Sequence, residues 1–244
     1  MLSKSEVKYI QSFSQKKFRQ QENVFIAEGP KIIEEALNSP VTKVKKIFAV
    51  ADWVETHLKN DQQTEIVTIT DADLERISQL KTPNKVAALI EIPGSEGFRL
   101  NQEKLVLALD GIQDPGNMGT ILRIADWFGV NQIICSNDCA DIYNSKVVQA
   151  TMGSIFRTEV FYTSLTEWLG EQKDVIIYGA ALDGYPLKSF NPVNSGVLVI
   201  GNESRGIRPD VMQHVTQKIT IERTGAAESL NAAVATGIIL SHIV

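Results

Sequence analysis

Three stretches of this 244-residue sequence concentrate side chains that can act on a ligand. The first, LDGIQDPGNMGTILRIADWFG (Leu109 to Gly129), reads as a strand end, a loop rich in Gly, Pro and Asn, and a helix. Pro115-Gly116 makes the turn, and Asn117 is well placed to cap the helix by accepting a bond from an unpaired first-turn N–H. On that helix Arg123 shares a face with Gly119, Thr120, Asp126 and Trp127. The small neighbours leave room for a ligand to approach the guanidinium, while an i,i+3 ion pair with Asp126 is the plainer reading of the same spacing. The second stretch, LVIGNESRGI (Leu198 to Ile207), runs from a buried-type strand into Gly201-Asn202-Glu203-Ser204, and Gly206 closes the turn. Its glycines permit tight backbone geometry and close approach of a flat or extended ligand. The third, ITIERTGAAESLNAAVATG (Ile219 to Gly237), starts the last helix, with Ser229 as its expected cap and Asn231 in its first turn. Unpaired N–H groups at such a start can serve a carboxylate or a ring nitrogen.

The common nucleotide motifs do not fit these loops. A triphosphate loop needs G-x-x-x-x-G-K-[ST], and no Lys follows these glycines; Gly111, Gly116 and Gly119 do not have the G-x-G-x-x-G spacing either.

The elements that must position the loops are strands and helices in alternation. A helix is expected within Met1–Gln20, and another after Gly29-Pro30, where Ile32, Ile33, Ala36 and Leu37 repeat with helical spacing. Strands over Val44–Val50, EIVTIT and Lys85–Ile92 alternate with helices over DWVETHLKN and LERISQL, the latter capped within Asp71–Asp73. Residues 93–104 are rich in Gly and charge and read as a linker. Alternation then restarts: KLVLALD, QIIC, DVIIYGAAL, GVLVIGN and KITIE are strands, and SKVVQATMGSIF, SLTEWLGEQ and SLNAAVATGIILSHIV are helices, the last with Leu230, Val234 and Ile238 on one stripe. Near-continuous apolar strands imply a mostly parallel sheet, whose ligands sit beyond the carboxyl ends of its strands. The fold class is α/β in two domains, 1–92 and 105–244.

Composition narrows the function. A net charge of −5 argues against coating nucleic acid by bulk charge, although Lys4, Lys8, Lys16, Lys17 and Arg19 against a single acid, Glu6, make a local phosphate-binding end conceivable beside a plain solvated face. Two cysteines, Cys135 and Cys139, and three scattered histidines have no ligand spacing, so no metal is expected. No apolar run is long enough to span a membrane and MLSKSEVKYIQSF has no signal core, which predicts a cytoplasmic protein without membrane attachment.

Taken together and in this order, the three stretches closely resemble the SpoU (TrmH-type) RNA 2′-O-ribose methyltransferases of the SPOUT superfamily. The resemblance rests on Asn117, Gly119 and Arg123 in NMGTILRIADWFG, on IGNESRGI with Glu203 at the acidic position, and on SLNAAVATG with Ser229 and Asn231. QATMGSIFR (Gln149 to Arg157) adds to it, and the whole covers Leu105 to Val244; FIAEGPKIIEEAL more softly resembles the ribosomal-protein-like substrate-binding domain often fused in front. The resemblance implies a C-terminal parallel-sheet domain with a deep trefoil knot, a homodimer, S-adenosylmethionine as cofactor, and RNA as substrate, ribosomal RNA ahead of transfer RNA. It implies that Arg123 activates the ribose hydroxyl, that Asn117, Glu203, Ser229 and Asn231 orient the arginine, the ribose or the donor, and that Ala180, Leu182, Gly201, Ile221 and Leu230 line the donor site. Arg157 and Arg205 are expected to add local positive potential. Two rivals stay open: a non-catalytic RNA- or ribosome-binding protein on the same scaffold, and a nicotinamide dehydrogenase, which the missing glycine fingerprint disfavours.

Overall fold

A computed structural model describes residues 1–57, 64–94, 101 and 103–244; the end of the helix expected in DWVETHLKN and most of the expected 93–104 linker lie outside them. The chain divides into two compact units, Met1–Gly94 with Asp141–Phe156, and Ser95–Ala140 with Arg157–Val244.

Unit 1 runs α1 (Lys4–Ser12), α2 (Lys16–Glu22), β1 (Val24–Glu28), α3 (Pro30–Asn38), β2 (Val44–Ala49), α4 (Ala51–His57), β3 (Glu65–Thr68), α5 (Asp71–Ile77) and β4 (Val86–Glu91). Where one N-terminal helix was expected there are two. Ser3 and Glu6 form a reciprocal capping box at the start of α1, and Asn23 ends α2 in the left-handed conformation. The cap of α5 is Thr70, whose side chain accepts from Asp73 N, rather than a residue of Asp71–Asp73. β1 is a strand that the sequence pattern did not predict: its five residues, VFIAE, are all buried and show no polar alternation. The sheet order is β1-β4-β2-β3, with β4 antiparallel to both β1 and β2, and β2 parallel to β3. β1, β4 and the second half of β2 are buried on both faces, so alternate residues feed two cores: Phe25, Ala27, Ile47, Ala88 and Ile90 on one side, Val24, Ile26, Phe48, Ala87 and Leu89 on the other.

The segment Asp141–Phe156, read from the sequence as part of the C-terminal region, is packed into unit 1. It carries α7 (Ser145–Thr151) and a 3-10 turn (Ser154–Phe156), where the sequence suggested one continuous helix. Met152 and Gly153 at positive φ separate the two, and a Cβ on Gly153 would stand 2.7 Å from Glu35 Cγ. Val148 and Ile155 join the first core. Arg19, expected as a surface cation, is only 3 % exposed: it donates to Phe13 O at 2.7 Å, Ser14 O at 2.9 Å and Asp141. Removing one partner of so buried a pair costs about 3–5 kcal/mol.

Unit 2 contains β5 (Leu105–Asp110), α6 (Pro115–Trp127), β6 (Gln132–Ser136), β7 (Glu159–Thr163), α8 (Leu165–Glu171), β8 (Ile177–Pro186), β9 (Gly196–Gly201), α9 (Pro209–Met212), β10 (Gln217–Thr220) and α10 (Ala232–Ile243). All of its strand pairs are parallel, in the order β10-β8-β9-β5-β6-β7. β5 is buried along its whole length. Val106, Ala108, Val197 and Val199 pack with Leu165, Leu169 and Val211 of α8 and α9, while α6 and α10 lie against each other. β7 was not foreseen. In a sheet of this kind every strand ends on the same edge, so the loops after β5 and β9 are neighbours by construction; Asp110 is in register with Gly201.

Candidate active site

The loop after β5 is held by Asp114, not Asn117. Asp114 occupies the cap of α6 and accepts from Asn117 N at 2.8 Å, which leaves the Asn117 side chain free to reach outward. At α10 the cap is Asn231 rather than Ser229: its Oδ1 accepts from Ala233 N at 2.9 Å and Val234 N at 3.2 Å. Such a cap is worth about 1 kcal/mol.

Those two corrections produce the site. With its oxygen committed to the cap, Asn231 turns Nδ2 outward, and Nδ2 donates to Asn117 Oδ1 at 2.8 Å. Asn117 must then present its own Nδ2 on the other side, where it donates to Glu203. The orientation of every amide in the row follows from the helix cap. Residues separated by 114 and 86 positions along the chain are thereby joined through one asparagine. Ser229 is exposed and stands outside the row.

Arg123 lies further along α6 and is exposed. The expected ion pair with Asp126 does not form. Asp126 is engaged by Arg157, whose Nη2 approaches at 2.8 Å and whose Nε donates at 3.0 Å. Among the described residues the Arg123 side chain has neither a hydrogen bond nor an ion pair. A guanidinium without an internal partner, on the helix whose first turn carries Asn117, is available to an anionic ligand.

The residues expected to face a donor lie in the same unit. Ala180 and Leu182 are on β8, Gly201 ends β9, Ile221 follows β10 and Leu230 precedes α10. Leu182 and Leu230 are exposed large apolar groups, at 79 % and 43 %. Gly201 is demanded by its own turn: a Cβ there would lie 2.2 Å from the carbonyl carbon of Gly206. A cavity of about 530 Å³ lined by Leu169, Gln172, Ile177, His214 and Gln217, among others, shares none of these residues. Among the described residues no group of His, Cys, Asp and Glu has the arrangement of a metal site, and no helix is long and apolar enough to cross a membrane. Both cysteines are buried; Cys139 sits beneath the first loop, donating to Leu109 O and accepting from Ile112 N, each at 3.3 Å.

Sequence reading missed Asp110, Ser136, Asp138, Asn202 and Arg208, which form hydrogen bonds and ion pairs around the feet of these loops. One signal was present: Asp110 is a carboxylate closing an otherwise apolar strand.

Comparison with known proteins identifies the family. The model of the SpoU rRNA Methylase family matches residues 104–241, and that of the MRM3-like substrate binding domain matches residues 4–88. The chain is 33% identical over 233 residues to the 23S rRNA (guanosine(2553)-2′-O)-methyltransferase RlmP of Bacillus subtilis, covering 93% of this chain and 91% of that one. A TrmH-family protein from Porphyromonas gingivalis superposes with a TM-score of 0.88 at 35% identity, over 99% of this chain and 97% of the other. An AdoMet-bound rRNA methyltransferase from Sinorhizobium meliloti does so with a TM-score of 0.85 at 28% identity, over 98% and 94%. With its parallel sheet, its three joined loops and these matches, the chain belongs to the SpoU rRNA Methylase family.

Proposed function

We propose that this protein transfers the methyl group of S-adenosylmethionine to a ribose 2′-hydroxyl of ribosomal RNA. The observation that carries the reading is the junction of three loops through Asn117, on the same helix as the unpaired Arg123. Ribosomal RNA is favoured over transfer RNA because the relative matched along almost the whole chain is named for it.

S-adenosylmethionine, when bound, supplies a methyl group on a sulfonium, which leaves as a neutral thioether. Ala180, Leu182, Gly201, Ile221 and Leu230 are the residues that would hold it. They suit it chemically: exposed leucines offer hydrocarbon to an adenine and a methionine chain. Among the described residues no backbone N–H from Glu222 to Leu230 is hydrogen-bonded, so this segment has donors to spare for a ring nitrogen or a carboxylate. The Arg123 guanidinium attracts the RNA phosphate and stabilises negative charge on the ribose oxygen as the hydroxyl proton passes to solvent water. Asn117, held from both sides by Glu203 and Asn231, keeps the wall of the site rigid, and Ser229 is an exposed hydroxyl before it. Alignment of this kind is a large share of catalysis when the leaving group is already good.

RNA recognition falls to unit 1, within which the substrate-binding match lies. Lys4, Lys8, Lys16 and Lys17 are exposed and, among the described residues, in no ion pair; the nearby acids are committed, Glu6 to its capping box and Glu22 to the Tyr9 hydroxyl. Arg205, exposed at the turn after β9, adds charge to unit 2.

The protein acts as a homodimer. Val234 and Ile238 of α10 and Trp127 of α6 are exposed at 51 %, 37 % and 84 %, and α6 packs against α10. Trp127 stands one helical turn from Arg123, so a partner covering it also shields the arginine from water. A monomer by light scattering at micromolar concentration would remove this element. The trefoil knot of the family accords with the path of the chain, which passes from β9 to β10 on the outer side of β8 and returns to α10. We take the enzyme to be cytoplasmic, as a bacterial ribosomal RNA methyltransferase such as the Bacillus subtilis relative would be.

The test is transfer of labelled methyl from S-adenosylmethionine to unmodified ribosomal RNA and transfer RNA, offered separately, with the product digested and mapped. One 2′-O-methylated ribosomal nucleotide is expected. Label in transfer RNA alone overturns the substrate, and bound donor without transfer to either points to a non-catalytic binding protein or to a substrate that exists only in an assembled particle.

A further inference from the structure

The turn that carries Glu203 is fixed by Asn202 and Gly206 within its own motif and by Asp110 and Arg208 outside the recognised motifs. Beyond Gly201, Asn202 and Gly206 exchange both backbone hydrogen bonds, at 3.0 and 2.8 Å, leaving Glu203, Ser204 and Arg205 at the tip. Asn202 Oδ1 accepts from Ser204 N at 3.0 Å and Arg205 N at 3.3 Å, and its Nδ2 donates to Gly111 O at 2.9 Å. That is one foot of the turn, tied to the end of β5.

The other foot is Arg208. Its backbone N donates to Asp110 Oδ2 at 2.7 Å and its Nε to Asp110 Oδ1 at 2.7 Å, while Nη2 approaches Oδ1 at 2.5 Å. The Asp110 side chain is fully buried, so a single residue satisfies both oxygens of a carboxylate that water cannot reach. Arg208 Nη2 also lies 3.6 Å from Asp138, which accepts from Ser136 Oγ at 2.6 Å; Ser136 Oγ in turn accepts from Gly111 N at 2.9 Å. These hydrogen bonds and the longer ion pair with Asp138 form a ring that starts and ends at the carboxyl edge of β5. Arg208 bonds to none of Asn117, Arg123, Glu203 or Asn231.

We infer that Arg208 and Asp110 are positioning residues for methyl transfer, setting the height of the turn so that Glu203 meets Asn117. This rests on the methyltransferase reading above. A buried carboxylate at a strand end admits one arrangement of a planar guanidinium fork, and a fork fixed at both nitrogens and at its own backbone leaves the turn little freedom. Hydrogen-bond geometry tolerates only a few tenths of an ångström, and a misplacement of about 1 Å at a site costs roughly 100-fold in rate.

Two readouts test it, one independent of activity. In protein labelled with ¹⁵N-asparagine, the side-chain amide of Asn117 reports its bond to Glu203. R208Q is expected to move that resonance in the direction that E203Q moves it, and R208K, which keeps the charge without the fork, to move it less. R208Q is expected to lower kcat by about 10–100-fold with KM for RNA and the donor Kd by calorimetry within about twofold. In an E203Q background it should cost nothing further. An unmoved Asn117 amide, or losses in R208Q and E203Q that multiply independently, overturns the inference. Should R208Q fail to fold, N202A releases the other foot without stranding a buried charge, and the same two readouts apply. If the wild-type chain transfers no methyl group at all, the methyltransferase reading fails, while the amide resonance still decides whether Arg208 acts on the pairing of Glu203 with Asn117.

Discussion

The two units bury charge for different ends. In unit 1, Arg19 turns inward to two carbonyls and Asp141, and Glu28, 4 % exposed, accepts from Gln79 N at 2.8 Å and from the Ser78 hydroxyl. Each closes a stretch of chain onto its own sheet. In unit 2 the buried Asp110 stands at the edge of the sheet, and the bonds around it lead outward through Arg208 and Asn202 to the turn bearing Glu203. Sheet direction explains the contrast. Parallel strands all finish on one edge, so polar residues just past their ends gather into a single place. The mixed sheet of unit 1 sends β4 against β1 and β2, and its strand ends are divided between two edges. Net charge divides as well: by sequence unit 1 is neutral and the whole −5 falls on unit 2. A catalytic unit of that sign needs help in attracting a polyanion, and the reading proposed above assigns that help to the lysines of α1 and α2.

The sharpest way to break this division of labour is Arg123→Ala. Methyl transfer should fall by about 10²–10³-fold or more in kcat, the scale for removing a charge-stabilising donor, while donor binding by calorimetry stays nearly intact. Equal loss of both would make the arginine structural. Next comes the simultaneous exchange of Lys4, Lys8, Lys16 and Lys17 for glutamate. RNA affinity should drop about 10-fold or more near physiological salt, and the log–log salt slope should become shallower by roughly 0.7–0.9 for each phosphate no longer neutralised. Donor affinity should not change; an unaltered salt slope would return those lysines to plain solvated surface.

Asn231→Ala sharpens the unit 2 side. Loss of the cap should lower unfolding stability by about 1 kcal/mol, and loss of the bond to Asn117 should lower kcat beyond what Ser229→Ala does. The smallest effect is expected at Glu28. Burial raises its carboxyl pKa above the ordinary value, against the opposing bonds from Ser78 and Gln79. The folded state therefore holds that proton more tightly than the unfolded chain. This group's contribution is full below the ordinary carboxylate pKa and is lost as pH rises through the raised folded value. Thermal melts of Glu28→Gln should show a flatter dependence on pH than wild type through that window, and parallel profiles would count against the assignment.

Much of the architecture was legible. Apolar strands alternating with 3.6-period helices announced α/β structure, because burial on two faces removes the polar half of a strand's pattern. What the periodicity could not reveal was β1, hidden in FIAE, or the short β7. Caps were the weakest inference. Asn117, Ser229 and the Asp71–Asp73 stretch each had the right residue type, yet Asp114, Asn231 and Thr70 hold those positions. Several candidates stand side by side at each helix start, and only the backbone path selects one.

By itself, the sequence determined the residue inventory: a strand ending in Asp110, an arginine on a helix after a Gly-Pro-Asn loop, and turns tight enough to need Gly201. These follow from local spacing and sterics, which act over a few residues. Tertiary structure alone decided which inventory members work together. It withdrew Arg19 into a buried pair and gave Asp126 to Arg157, leaving Arg123 free. It also brought Asn117 between Glu203 and Asn231, across 86 and 114 residues of chain. No periodicity encodes those meetings, because they depend on the order in which parallel strands pack and on the common edge at which they end.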